Sequence, residues 1–333
     1  MIVLPYLHHQ PQLASTLNAA PDAVVIGRAV IGANCYFGQL ATVRADGEDI
    51  RISDDCWFGD FSTVHIAHSV YPTIVGQGCS IGRYALVHAC NLGAGVVLGE
   101  NSVVMDNTQV GAGAVVAADS IVPPGKTLDR GWLYAGTPAK AVRAVTAVEL
   151  NSLHAQLRAG NLNEHAAILA SSTPVAGLTQ VPGNGRTDLT LGDAYVAPTA
   201  SLTGTVELGQ QASIWFGVEI RGHGATIEIG AGSNVQDNTR IMLAAGERVA
   251  IGRRVTVGHN VRMAACEIGD EAMIGMGSQV GAGTVVGANG VIAAGEIWSG
   301  APARRWKPLP PDNRAMFARG VDVYMEYTRN YMR

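Results

Sequence analysis

Charge is scarce in this chain of 333 residues. Only 15% of them are Asp, Glu, Lys or Arg, and the formal net charge is −4. Proteins that grip phosphate backbones or anionic lipid carry basic stripes, so this balance excludes nucleic acid and membrane as partners. Cysteine is also sparse. The five residues Cys35, Cys56, Cys79, Cys90 and Cys266 have no paired spacing. Cys35, Cys56 and Cys79 each stand two residues before an apolar position where Ala and Ser also recur, so they read as small core fillers in a reducing compartment. No long apolar run marks a transmembrane segment. The first ten residues, MIVLPYLHHQ, lack the basic flank of a secretory signal. A cytoplasmic location is the expectation.

What the chain does have is a beat of six, sustained twice. Apolar residues recur at Ile31, Phe37 and Val43, at Ile52, Phe58 and Val64, and at Val75, Ile81 and Val87. Leu92, Leu98, Val104, Val110, Val116 and Val122 continue it. The second run passes through Leu208, Ile214 and Ile220, Ile229, Val235 and Ile241, then Ile251, Val257 and Met263. It closes on Ile268, Ile274, Val280, Val286, Ile292 and Trp298. So short a period, held so long, predicts a β-solenoid whose coils stack only on their neighbours. Glycine is abundant, at 41 residues, and often follows the beat directly, as a corner without room for a side chain requires.

The two runs match at an offset of 177 residues, which becomes 176 after the mid-solenoid loop. The organisation expected is a first solenoid domain at 1–170, a Ser/Thr/Pro/Gly-rich linker at 171–187 and a second solenoid domain at 188–333. The first solenoid proper spans about 21–140. A helix follows from about 146, with Thr146 and Glu149 as a capping box and Leu150, Leu153 and Leu157 as its apolar stripe. The second solenoid covers about 190–303, ending on Ile297 to Arg304, a phrase parallel to Leu133 to Lys140. A terminal helix at 312–331 can lay Met316, Phe317, Val321, Tyr324 and Met325 on one face.

Several signatures resemble the γ-class carbonic anhydrases and their hexapeptide-repeat relatives. In the second half these are Ser213-Ile214-Trp215, Arg221-Gly222, Asn234-Val235-Gln236-Asp237-Asn238, Val257-Gly258-His259-Asn260 and Ile274-Gly275-Met276-Gly277. In the first half they are Arg44 and Asp46, Val64-His65 and Val87-His88-Ala89-Cys90. The resemblance implies two tandem left-handed parallel β-helices, a mainly β fold in which each β-helix is followed by an α-helix. It also implies a zinc ion between neighbouring β-helices, held by two histidines of one and one of the other. Three neutral imidazoles leave a fourth position for water, whose pKa then falls to about 7.

Neither half holds the whole triad. The three places read His65, Arg83 and His88 in the first half, and Met242, His259 and Ala264 in the second. The losses are complementary, so one composite site of His65, His88 and His259 is expected, with about one Zn2+ or other divalent transition metal per chain. Asn234 and Gln236, the pair that in the family reaches toward the metal-bound solvent, survive beside His259, whereas Trp57 and Gly59 stand at those places in the first half. By the same resemblance Arg44 with Asp46, Arg221 with Asp237, and Asp60 serve as structural ion pairs. His223 stands where the family has Asp, and reads as a solvated loop histidine. His68, three residues beyond His65, lies in a loop where a proton relay is conceivable. His8, His9, His154 and His165 show no site-like spacing.

The function this implies is a zinc hydro-lyase acting on carbon dioxide, or a hydrolase of a related small carbonyl, with Gln236 and Asn234 orienting the reactants. The acidic loop used for proton export in the family has no counterpart here. Two other classes compete: a hexapeptide acyltransferase using acyl-CoA with a single histidine as general base, and a non-catalytic assembly protein. Because unpaired solenoid flanks would expose apolar surface, self-association is expected.

Overall fold

The computed structural model describes the backbone of residues 1–171, 189–190, 193–292, 297–298, 307–308 and 311–333, and side chains within 1–159, 193–292 and 318–333. The linker expected at 171–187 lies outside the described residues except for Ser171. So do most of the closing phrase 297–304 and the side chains of Met316, Phe317 and His165. The chain forms two compact units, Met1–Thr179 and Gln180–Arg333. Each is a parallel β-helix of the left-handed hexapeptide-repeat type.

The beat explains the fold directly. Strands of two or three residues, such as Tyr36–Phe37, Trp57–Phe58, Ser80–Ile81 and Val97–Leu98, pair in parallel with the same position one coil on. Each apolar beat residue therefore stacks on its predecessor at the inter-strand spacing of about 4.8 Å. The rings of Phe37 and Phe58 show it, parallel within 3° and 4.8 Å apart. All fifteen beat positions of the first run lie in one buried core. In the second run, Ile214 through Ile292 do the same, Leu208 packs against them partly buried, and Trp298 is outside the described side chains.

Some strands run through a corner. Thr42–Ile52 pairs with Thr63–His65 at one end and with Thr73–Val75 at the other, so two faces of the coil merge into one sheet. Glu219–Ile229 repeats this in the second unit, pairing with Arg240–Met242 and Arg248–Ile251. The preceding coil bends at Gly27 and Gly204, both with positive φ (72° and 107°). A Cβ there would lie 2.3 Å from the carbonyl oxygen of Ala45 or Gly222, so only glycine fits.

The thiols behave as fillers. Cys35, Cys56 and Cys79 are buried, and their Sγ atoms lie 3.2 Å from the carbonyls of Ser53, Gly76 and Gly93 on following coils. Burial pushes the Cys266 thiol up to about 12 and raises Cys90 as well, which keeps both protonated and unreactive.

The first β-helix ends in an antiparallel pair, Trp132–Gly136 with Ala139–Ala144. Helix α1 (Ala147–Ser171) follows. The Thr146 hydroxyl accepts the Glu149 N–H at 3.2 Å, but the Glu149 carboxylate turns to Arg143 instead of closing the capping box. Leu150, Leu153 and Leu157 are half-buried as expected. Polar contacts also hold α1: His154 Nδ1 lies 2.7 Å from Ser80 Oγ, and Arg158 reaches the carbonyls of Asp55 and Gly78. Helix α2 (Pro311–Tyr331) ends the second unit. Its Tyr324, Tyr327 and Tyr331 meet the buried Trp215 edge-on. No helix among the described residues is long and apolar enough to cross a membrane.

Candidate metal centre

Stacking places the candidate residues of the first unit. Arg44, His65 and His88 occupy one register position in three successive coils, with Arg44 opposite His65 and His65 opposite His88. All three are buried. Asp46, two residues past Arg44 and also fully buried, takes the Arg44 guanidinium on Oδ2 at 2.6 Å and His65 Nε2 on Oδ1 at 3.1 Å. His88 Nδ1 lies 2.6 Å from Asp106 Oδ1. The two carboxylates thus fix the imidazole tautomers, drawing the protons to His65 Nε2 and His88 Nδ1.

What remains is two nitrogens face to face, His65 Nδ1 and His88 Nε2, 3.3 Å apart. Two lone pairs at that distance repel unless a proton or a cation lies between them. Ligand nitrogens at about 2.0–2.1 Å from a tetrahedral zinc would stand about 3.3–3.4 Å from each other. The observed separation matches that edge, so the residues present fit a metal. His88 is followed by Ala89, which takes φ 48° while its N–H donates to the His65 carbonyl at 3.0 Å. The left-handed conformation costs a residue with a Cβ about 1–2 kcal/mol. Ala89→Gly, after the entropy lost by glycine, should therefore stabilise the protein by about 0.5–1 kcal/mol in a urea melt.

The second unit carries the polar set around His259. Phe216, Asp237 and His259 follow one another in successive coils, each just before a left-handed corner residue at Gly217, Asn238 and Asn260. Asp237 Oδ1 accepts the Phe216 N–H at 3.0 Å and its Oδ2 lies 3.1 Å from His259 Nδ1. His259 Nε2 is 3.4 Å from the buried Tyr324 hydroxyl of α2. One coil before His259, Gln236 gives its amide N–H to Asn234 Oδ1 at 3.1 Å, and Asn234 gives its own to Thr256 Oγ1 at 3.1 Å. That chain leaves Gln236 Oε1 buried with no hydrogen-bond partner among the described residues. A buried acceptor left this way marks a place for a bound donor such as water. In the first unit Trp57 and Gly59 stand at those places, and Trp57 Nε1 is buried with no hydrogen-bond partner among the described residues.

The expected ion pairs divide. Arg44–Asp46 is made. Asp60 is buried, its Oδ1 accepting the Gln39 N–H at 2.7 Å, the task Asp237 performs for Phe216 one repeat later. The Arg221–Asp237 pair is not made within this unit: Arg221 lies largely in solvent and pairs with Glu219, two residues away on the same face of its strand. A fully buried carboxylate already serving a corner N–H and an imidazole sits out of reach of an outward-pointing arginine. Arg83 turns to Glu100 at 3.0 Å, and His223 is exposed as expected. His68 is half-buried in the loop between Ile66 and Pro72. Asp106 and Tyr324 were missed as site residues. The signal for Asp106 was there, a carboxylate one coil beyond a candidate histidine; for Tyr324 only an apolar helical face was visible.

No family model matches the chain. The carnitine operon protein CaiE of Escherichia coli (strain K12) is 36% identical over 141 residues, 42% of this chain and 71% of that protein. CaiE of Escherichia fergusonii is 36% identical over 144 residues, 43% and 73% of the two chains. Among solved structures, a hexapeptide transferase family protein from Anaplasma phagocytophilum is 30% identical, covering 50% of this chain and 97% of that one, at a TM-score of 0.45. A hexapeptide-repeat acetyltransferase of Vibrio cholerae, complexed with acetyl coenzyme A, is 21% identical over 41% of this chain and 71% of that one, at a TM-score of 0.29.

Proposed function

Since the chain belongs to the hexapeptide-repeat family of the carnitine operon protein CaiE, we propose that it is a metal-dependent enzyme of the γ-carbonic anhydrase type, hydrating carbon dioxide or hydrolysing a related small carbonyl compound. The ligands are His65 and His88 of the first unit and His259 of the second. The observation that carries this reading is the pair of nitrogens 3.3 Å apart, each imidazole already committed through its other nitrogen to Asp46 or Asp106. In the second unit the Asp237 carboxylate lies 3.1 Å from His259 Nδ1, and the Tyr324 hydroxyl lies 3.4 Å from its Nε2, a contact that a metal would displace. A carboxylate behind every ligand histidine is the usual arrangement in metal sites.

Zinc held there would bring a water's pKa down to about 7, supplying a nucleophile at neutral pH. The protein's own part is orientation. Gln236 Oε1 accepts a proton-bearing solvent oxygen, which aims that oxygen's remaining lone pair at the substrate carbon. Its amide stays pinned to Asn234, so the acceptor cannot rotate away. Tyr324, buried at His259 Nε2, adds a hydroxyl donor at the edge of the same polar set.

Metal content and activity of the intact chain test this together. About one zinc, iron or cobalt per chain, with carbon dioxide hydration or ester hydrolysis lost on chelation, is the expected outcome. A metal-free protein that binds acetyl-CoA saturably would overturn it in favour of acyl transfer. A metal-free protein that binds neither would point to an assembly role.

A further inference from the structure

A second polar concavity lies in the first unit, apart from these histidines. It encloses about 600 Å³, and its lining includes His9, Gln10, Gln12, Arg28, Asp49 and Arg51. One wall is the corner where Val24–Ile31 pairs with Thr42–Ile52 across a register shift at Gly27 and Ala29. The opposite wall is a tight turn, Tyr6 and His9 exchanging backbone hydrogen bonds at 2.9 and 3.0 Å, with Tyr6 buried beneath. Gln12 is tied to the same sheet opposite Val30.

Two guanidiniums here share one carboxylate. Arg28 Nε lies 2.8 Å from Asp49 Oδ1, and Arg51 Nη2 lies 3.2 Å from Asp49 Oδ2. Two guanidiniums against one carboxylate leave a surplus positive charge, and each carries N–H groups beyond the one that meets Asp49. Partial burial, then the neighbouring His8 and Arg28, lower the proton affinity of His9, with Asp49 acting the other way.

The second unit supplies an internal control. It keeps the same corner, with Gly204 in place of Gly27 and the same register shift. At the positions of Arg28, Asp49 and Arg51 it has Thr205, Thr226 and Glu228. The corner folds without this arginine cluster, Glu228 pairing there with Arg248 instead. Two arginines converging on one carboxylate are thus particular to the first copy and are not required for the corner to form.

We propose that this concavity binds a small organic anion through its oxyanion group, a phosphate or a carboxylate. Arg28 and Arg51 supply the forked donors suited to such groups, and Gln10, Gln12 and His9 contact the rest of the ligand.

Calorimetric titration of the full chain with inorganic phosphate, ADP and citrate, and with adenosine as a neutral control, tests it. Saturable binding of at least one anion, weakened tenfold or more in the Arg28→Gln/Arg51→Gln double variant, is expected. Preference for phosphate and ADP assigns a phosphorylated ligand, and preference for citrate a carboxylated one. The His9 ring resonances should shift with the same anion. The proposal is overturned if no anion saturates, if adenosine binds as well as ADP, or if the folded double variant binds like the parent.

Discussion

His259→Ala empties the metal site as completely as His65→Ala does. The expectation is about one equivalent of zinc in the parent and almost none in either variant after equilibrium dialysis, measured by elemental analysis. The physical ground is that three neutral imidazoles make a tetrahedral site with one open position, and losing any one leaves two ligands. Removing a supporting carboxylate is gentler. Asp106→Asn leaves His88 in place but frees its tautomer and ring angle, and should cost about 10–100-fold in zinc affinity. The graded order, ligand loss above loss of its backing, separates a coordination site from a merely polar cluster. Stoichiometric zinc in His259→Ala would sink the composite assignment while leaving the β-helices as they are.

Arg44→Met costs about 3–5 kcal/mol of unfolding free energy, the largest stability effect expected of any single change here. Arg44 and Asp46 are both fully buried, their side-chain atoms 2.6 Å apart. Deleting Arg44 leaves the Asp46 carboxylate buried beside the His65 N–H, a poor substitute for a guanidinium where water cannot reach it. Replacing both, as in Arg44→Met/Asp46→Leu, should recover only part of the loss, because it removes the buried pair but strips the His65 Nε2–H of its acceptor. Urea unfolding of the two variants decides this. A single variant within about 1 kcal/mol of the parent would mean that the pair is solvated in practice.

The beat made the fold legible, because in a coil stacked on itself every sixth residue faces one seam whatever lies between. Val64, Val87 and Val104 were placed correctly even though the coil lengths between them differ. Handedness came only through the family signatures; period alone does not carry it. The histidines were singled out through the family signatures, not through the period, although equal register does stack 65 on 88. Partner choice was not. Asp237 and Arg221 are sixteen residues apart, yet which group each meets is settled by side-chain direction: inward at a corner for the aspartate, outward on a strand for the arginine. Asp106 escaped notice because corner carboxylates lie off the apolar beat.

The polar pins of α1 have a consequence for how the first unit comes apart. His154 and Arg158 together reach Asp55, Gly78, Ser80 and Gly95, which belong to three consecutive rungs. A ladder held only rung to rung can fray at any point along its length. A brace laid across three rungs makes them open together or not at all, so amides at these heights should exchange with deuterium as one block.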